Sequence, residues 1–364
     1  VHVTVVGAGV IGCAVAIELS ARGVQVRLLD PRGCGMGASR ASAGMLAPQV
    51  EGHFDALRTL GVRSLGLYDD FVARVMARSA RRVEYRRTGT LQVACTAVEM
   101  RELEHERRAL TRAGVDHQFL DGDAVLALEP ALTSGVQCGL LIPSHGYVGV
   151  ATLMTALAEA LASSGVEFSG AEVRSVSAHA GSVRVETSDG AMACDAVVLA
   201  AGSWSGGVPM PPAPIAPVRP VRGQLLQLKF SRPPLARIVW GAGGYLVPWE
   251  DGHLLVGATV EEVGFDESVT PEGVAELLAR AAALLPDAAA ATCEGARAGL
   301  RPATPDELPI VGASAALPGV YYATGHYRNG VLLAPLTAAI IADLVVDGRE
   351  HEDAVAVRPS RLGL

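Results

Sequence analysis

The chain has 364 residues, 50% of them hydrophobic and 19% charged, with a formal net charge of −8. That length suits two domains with sizeable cores, and the acidic balance leaves no surplus of positive charge to neutralise phosphates, which argues against a nucleic-acid binder. The most apolar stretches are interrupted by Gly, Pro or charge short of the ~20 residues that cross a bilayer, so no membrane span is expected.

The first thirty residues read as strand, turn, helix, strand. Val3–Val6 is a β-branched run, and Val10–Arg22 is a small-residue helix with Ile11, Val15 and Leu19 on its apolar side. Val24–Asp30 then makes a parallel βαβ unit. Cys34–Pro48, rich in Gly, Ala and Ser without periodicity, predicts a loop or broken helix where backbone approaches something closely. Ala56–Arg78 reads as one helix, Gly89–Cys95 as a strand, Ala97–Ala113 as a charged helix and Val150–Ser163 as an Ala/Leu-rich one. Val173–Ser188 alternates like hairpin strands, with Asp189-Gly190 as the turn signal, and Ala196–Ala200 is a buried strand. Met210–Pro220 holds five prolines, which forbids regular structure and suggests a crossover between domains. Strands return from Gly223 to Thr259, followed by a helix at Pro271–Leu285, a strand at Val320–Ala323 and a helix at Leu333–Val346.

Gly7-Ala8-Gly9-Val10-Ile11-Gly12 fits G-x-G-x-x-G between the first strand and helix. Gly7 makes the tight turn, Gly9 lets backbone reach a pyrophosphate, and Gly12 lets helix and strand pack closely. Asp30, eighteen residues after Gly12, ends the next strand, where a carboxylate takes ribose hydroxyls and repels a 2′-phosphate. The motif does not separate NAD from FAD. The apolar run Val197–Gly202, followed by Ser203-Trp204, ends in small residues that leave room for a ligand. With no second G-x-G-x-x-G, a separate nicotinamide site is not expected.

Several segments together resemble the glycine oxidase (ThiO) branch of the D-amino acid oxidase family. They are the N-terminal fingerprint, Ser39–Pro48 (SRASAGMLAP), Val197–Trp204 (VVLAAGSW), Ala298–Gly312 (AGLRPATPDELPIVG) and Gly325–Pro335 (GHYRNGVLLAP). The resemblance implies a mixed α/β fold, with a Rossmann-like FAD-binding domain and an antiparallel-sheet substrate-binding domain. On that pattern residues 1–85, 140–205 and 296–364 form a discontinuous FAD domain, and 86–139 with 206–295 the substrate domain. Carried over by position, Gly7, Gly9, Val10, Ile11 and Gly12 meet the FAD pyrophosphate, and Asp30 with Pro31 the adenosine ribose. Ala38, Ser39, Ala43, Gly44 and Met45 line nucleotide and flavin, Val173 the adenine, and Gly202 and Trp204 the same cleft. Gly325, His326, Tyr327, Arg328, Asn329, Gly330, Val331 and Leu332 cover the flavin's pyrimidine edge as a loop whose N–H groups stabilise negative charge on the reduced ring. No cysteine follows Cys293, so the FAD is expected to be held non-covalently.

The resemblance also implies the chemistry: a small amino acid is oxidised at its C–N bond to the imino acid, with O2 as the electron acceptor. Hydride transfer needs little from side chains beyond fixing the carboxylate and aiming the α-C–H. Arg301, in Gly299-Leu300-Arg301-Pro302, matches the carboxylate-binding arginine, whose fork makes two hydrogen bonds to one carboxylate. Tyr245 matches a tyrosine that joins the same carboxylate, and Arg328 a second active-site arginine whose bland alternative is a structural ion pair. His326 reads as satisfying backbone rather than moving protons, and Asp306-Glu307 as solvated acids. Val260 stands where relatives carry a larger thioether, which leaves pocket size open. The rival reading is a D-amino acid or secondary-amine dehydrogenase passing electrons to a quinone or protein. An NAD-linked dehydrogenase and a non-catalytic nucleotide sensor are more distant ones.

The six cysteines (Cys13, Cys34, Cys95, Cys138, Cys194 and Cys293) contain no C-x-x-C pair, and no H-E-x-x-H or His/Cys cluster suggests a metal. With no leader-like segment at the start, they read as thiols of a cytoplasmic protein. The family pattern adds a homotetramer and a role in thiamine thiazole synthesis.

Overall fold

The computed structural model describes residues 1–51, 55–179 and 181–364. His2–Val6 pairs in parallel with Gln25–Leu29 on one side and Ala196–Leu199 on the other. Glu167–Ser169 and Val320–Thr324 continue the sheet in parallel, and Ile310–Ala313 closes one edge antiparallel, giving six strands. Val3 to Val6 and all of Ala196–Leu199 are buried, as befits strands covered on both faces. Helices Val10–Ala21, Val150–Ser163 and Gly330–Asp347 share the core on one face. A three-stranded meander, Val173–His179, Ser182–Thr187 and Gly190–Cys194, packs Val176, Val183 and Val185 on the other. The predicted hairpin is therefore three strands: its turn signal at Asp189-Gly190 joins the second to the third. An earlier reversal precedes Ser182, with Gly181 at φ +84°. Ala180, within the predicted span, lies outside the described residues.

The stretch expected to be one helix over 56–78 is two, Asp55–Gly66 and Tyr68–Ser79. Gly66 is a poor helix former, and the break at Leu67 lets the first piece pack on the final helix and the second on Val150–Ser163. That helix begins at Gly330, three residues earlier than its periodicity suggests, and contains Pro335. It is long and apolar enough by composition to cross a membrane, but it is a core helix, mostly buried against Val10–Ala21 and Asp55–Gly66. Pro335 has no N–H for the Val331 carbonyl, and the Tyr68 hydroxyl donates to that oxygen instead at 2.8 Å. The Ser64 hydroxyl inserts one residue on, donating to the Leu332 carbonyl at 2.6 Å and accepting from the Leu336 N–H at 3.3 Å.

The second large sheet has eight strands. Thr292–Ala303 runs antiparallel along Arg219–Lys229, followed by His253–Gly257, Gly244–Pro248, Ile238–Gly241, Thr90–Ala94, Cys138–Ile142 and Gln118–Asp121. Only Ile238–Gly241 and Thr90–Ala94 pair in parallel. The expected domain boundaries at 139 and 295 each fall inside a strand, Cys138–Ile142 and Thr292–Ala303: the ladder runs on in register past 139, and past 295 it continues across a bulge at Glu294. The proline-rich stretch is irregular until Arg219 and Pro220, which open a strand paired to Ala303 and Pro302. Ala43, Met45 and Tyr147, from Met45–Leu46, its partner Gly146–Val148 and the loop before them, pack on Leu225, Ile238, Val247 and Leu255. They join the two halves of the molecule.

Candidate active site

A cavity of about 960 Å³ runs from the C-terminal ends of the parallel strands to the face of the eight-stranded sheet. Its size stands at the upper end of small-molecule sites, ~300–1,000 Å³, as an extended dinucleotide with a substrate beside it requires.

At the parallel-sheet end the lining is largely backbone. Gly7 has φ +104°, and a Cβ there would lie 2.4 Å from the Ala200 carbonyl oxygen. A Cβ on Gly12 would lie 1.9 Å from the Gly7 oxygen, so this glycine packs beneath the turn and does not line the cavity. Gly44, at φ +72°, meets the Val148 carbonyl as closely. The Asp30 carboxylate braces the turn, accepting from the N–H groups of Ala8 and Arg32 at 2.8 Å each. Ser39 Oγ accepts from Val10 N–H at 3.0 Å. Neither the helix starting at Val10 nor the one starting at Gly330 is capped by the side chain of its own N-cap residue, and both open on the cavity. Free N–H groups and positive helix ends in a glycine cradle fit a diphosphate nucleotide. Trp204 also lines the cavity, between the Arg32 guanidinium at 4.5 Å and the Phe265 ring at 5.9 Å.

Most residues expected around the cofactor line this one cavity: Gly7, Gly9, Val10, Ile11, Asp30, Pro31, Ala38, Ser39, Ala43, Gly44, Met45, Val173, Gly202, Trp204, Gly325 to Arg328, Gly330 and Val331. Asn329 and Leu332 do not. Asn329 is the buried residue preceding the helix, and Leu332 is core. The expected loop over 325–332 is thus helical from Gly330, because the Tyr68 and Ser64 hydroxyls support a turn that Pro335 would otherwise undo.

The sheet end is built from side chains. Arg301 projects from Thr292–Ala303, and its Nη1 donates to the carbonyls of Thr259 at 3.0 Å and Arg222 at 3.2 Å. Its guanidinium crosses Gly223 on the neighbouring strand, where a Cβ would sit 2.1 Å from Nη2. Tyr245 lies the same way over Gly257, its direct cross-strand partner, with a Cβ clearance of 2.3 Å. Two glycines therefore make slots for the two polar side chains, and the Trp240 ring holds Tyr245 from the other side at 5.1 Å. Burial pulls the Arg301 pKa down while Tyr245 opposes it and the Arg328 charge adds to the fall. Burial also pushes the Tyr245 hydroxyl up, which keeps it a neutral donor. Neither Arg301 nor Arg328 forms an ion pair among the described residues, and the buried Arg328 Nε has no hydrogen-bond partner. A desolvated cation that no carboxylate contacts is a receptor for an anion.

His326 is buried, with Nε2 2.9 Å from Thr337 Oγ1 and a pKa pushed down to about 3 by burial, so its imidazole is neutral. Asp306 is not simply solvated: it pairs with Arg361 at 2.8 Å. Val260 lines the cavity and is half exposed. Sequence reasoning missed Glu51, a buried carboxylate in the same cavity as Arg301, Arg328 and Tyr245. It also missed the two glycine slots. A lone glutamate beyond the Ser39–Pro48 segment carries no local pattern, and cross-strand glycines are meaningful only once register is known.

A family model described as FAD dependent oxidoreductase matches residues 2–344. The glycine oxidase of Geobacillus kaustophilus is 34% identical over 347 residues, 94% of this chain and 92% of that protein. The bifunctional protein ThiO/ThiG of Nostoc sp. is 36% identical over 95% of this chain, which spans about half (52%) of that longer protein. The crystal structure of glycine oxidase from Geobacillus kaustophilus superposes with a TM-score of 0.92 at 33% identity, covering 98% of this chain and 97% of that one. With the glycine cradle and the two helix N-termini already placed around one long cavity, the match settles the cofactor as FAD: the chain belongs to the family of FAD dependent oxidoreductases.

Proposed function

We propose that this protein oxidises the C–N bond of glycine or another small amino acid, such as sarcosine or a small D-amino acid, to the imino acid, with O2 reduced to hydrogen peroxide. The observation that carries the reading is the Arg301 guanidinium, partly buried and without an ion pair among the described residues, beside the neutral Tyr245 hydroxyl in the cavity that also holds the dinucleotide cradle. Arg301 and Tyr245 would bind the substrate carboxylate, and Arg328 would add positive charge beside it. The residues proposed to hold FAD are those of the glycine cradle, Asp30, Ala38, Ser39, Ala43 to Met45, Trp204 and the start of the final helix. Bound there, FAD supplies the hydride acceptor. The chain's own task is to fix the carboxylate, exclude water and leave the α-C–H in one orientation.

Cys293 is exposed and does not line the cavity, which supports non-covalent binding of the cofactor. We take the enzyme to act in the cytoplasm as a homo-oligomer, and its imine product to serve thiamine thiazole synthesis. The six free thiols support the first of these. Anaerobic titration of the FAD-loaded protein with glycine, sarcosine, D-alanine and D-proline tests the reading. At least one should bleach the flavin, with stoichiometric peroxide on admission of air. Bleaching by none of them would overturn it, and bleaching without peroxide would favour a dehydrogenase.

A further inference from the structure

Glu51 ends the short helix Pro48–Glu51 that follows the strand Met45–Leu46, and its buried carboxylate lines the cavity with Tyr245, Arg301 and Arg328. The other carboxylates along the cavity are committed elsewhere. Asp30 holds two backbone N–H groups, Glu261 pairs with Arg222, Glu276 pairs with Arg280, and Glu172 is exposed beside Val173. Glu51 makes no ion pair with Arg301 or Arg328 among the described residues, although both guanidinium charges act on it. It therefore faces the arginines across open cavity and is not neutralised by contact with them.

An amino acid enters such a site as a zwitterion. Its carboxylate suits Arg301 and Tyr245, but two guanidinium groups repel its ammonium, and an ammonium has no lone pair with which to assist hydride loss. Resting on the amino-acid reading above, we propose that Glu51 receives the substrate's ammonium group and takes one proton from it, so that the neutral amine is held for oxidation. The step breaks one N–H bond and forms one O–H bond on the carboxylate. The N–H pair stays on nitrogen as its lone pair and a carboxylate lone pair makes the O–H bond, so nothing is oxidised or reduced and the summed charge of the pair stays zero.

Burial raises the Glu51 pKa to about 7, against the opposing pull of Arg328 and then Arg301. A carboxylate poised there is ionised in about half of the molecules at neutral pH and is a competent proton acceptor. Among the described residues, the groups facing it do not titrate in that range. A guanidinium is not deprotonated in proteins, and burial keeps the proton on Tyr245 from Gly244–Pro248. His145, joined to Gln49 on Glu51's own helix, is held neutral by burial with a pKa of about 3. The sign follows: kcat/KM should climb as pH rises through the Glu51 pKa and then level.

The test compares FAD-loaded wild type and Glu51→Gln. It uses kcat/KM for glycine across pH 6 to 9.5, and binding of acetate and glycolate read from perturbation of the flavin spectrum. For Glu51→Gln, kcat/KM at neutral pH should fall on the order of 100-fold. The near-neutral limb should vanish, and activity should keep rising with pH as free amine becomes available in solution. Acetate and glycolate, lacking an amine, should bind as tightly or more so, and Glu51→Asp should restore part of the limb. A Glu51→Gln variant with the wild-type pH profile, or one weakened equally for glycine and acetate, overturns the role of Glu51 alone. A wild type whose flavin no amino acid reduces overturns the amino-acid reading, and this role with it.

Discussion

The two ends of the cavity recognise their ligands by opposite means. Around the dinucleotide the protein offers backbone: glycines whose missing Cβ atoms are filled by carbonyls of neighbouring segments, and helix ends not capped by their own N-cap side chains. Around the substrate it offers a few side chains reaching from separate strands and loops, each laid across a glycine or an aromatic ring. A diphosphate nucleotide is long and can be held by many shared N–H groups. A two-carbon acid offers few handles, so each must be met by a charged or hydroxyl group in one place. Errors at the first end should therefore cost the cofactor, and errors at the second should cost catalysis with the cofactor retained.

Gly12→Val breaks the comparison most severely. Its side chain would collide with the Gly7 carbonyl, backbone that has nowhere to go, at a cost of roughly 3 kcal/mol or more. The purified variant should be colourless or unfolded, as judged by the ratio of flavin to protein absorbance. Arg301→Ala should keep its yellow colour and lose roughly 30- to 1,000-fold in kcat/KM, equivalent to ~2–4 kcal/mol of charge-assisted pairing in a dry site. Gly223→Ala sharpens the point, since the new methyl meets only the far end of the Arg301 side chain. The fold and FAD should survive while kcat/KM drops by roughly 10- to 100-fold through displacement of the guanidinium. Asp30→Ala should have the smallest effect and the opposite sense. With two N–H bonds lost at the turn, FAD affinity should weaken by about 1–3 kcal/mol in a titration of apoprotein, with kcat unchanged at saturating FAD.

Legibility in the sequence divides along the same line. The βαβ unit and Asp30 could be read because that part of a nucleotide cradle is written in one contiguous stretch with fixed spacing, and the strand at 196–199 because it is an unbroken apolar run. Arg301, Tyr245 and Arg328 became candidates only through the resemblance of their surrounding segments to a family, since a single arginine in a strand has no signature. Glu51, Gly223 and Gly257 were not legible at all. Their meaning lies in what faces them across a ladder or a cavity, and register is a tertiary property. The same holds for the final helix, whose start was misplaced by three residues because Pro335 argues locally against a helix and distant hydroxyls override it.

Those hydroxyls tie an early part of the chain to its last helix. Tyr68 and Ser64 stand 263 and 268 residues before the carbonyls they serve, in helices made while most of the chain is still unsynthesised. The turn that presents Gly330 and Val331 to the cavity cannot be completed by the C-terminal segment alone, because the donors for its carbonyls must already be in place. This surface of the cofactor site is complete only with the final helix docked on Asp55–Gly66 and Tyr68, so a change that loosens that docking reaches the flavin without touching a residue that lines its cavity.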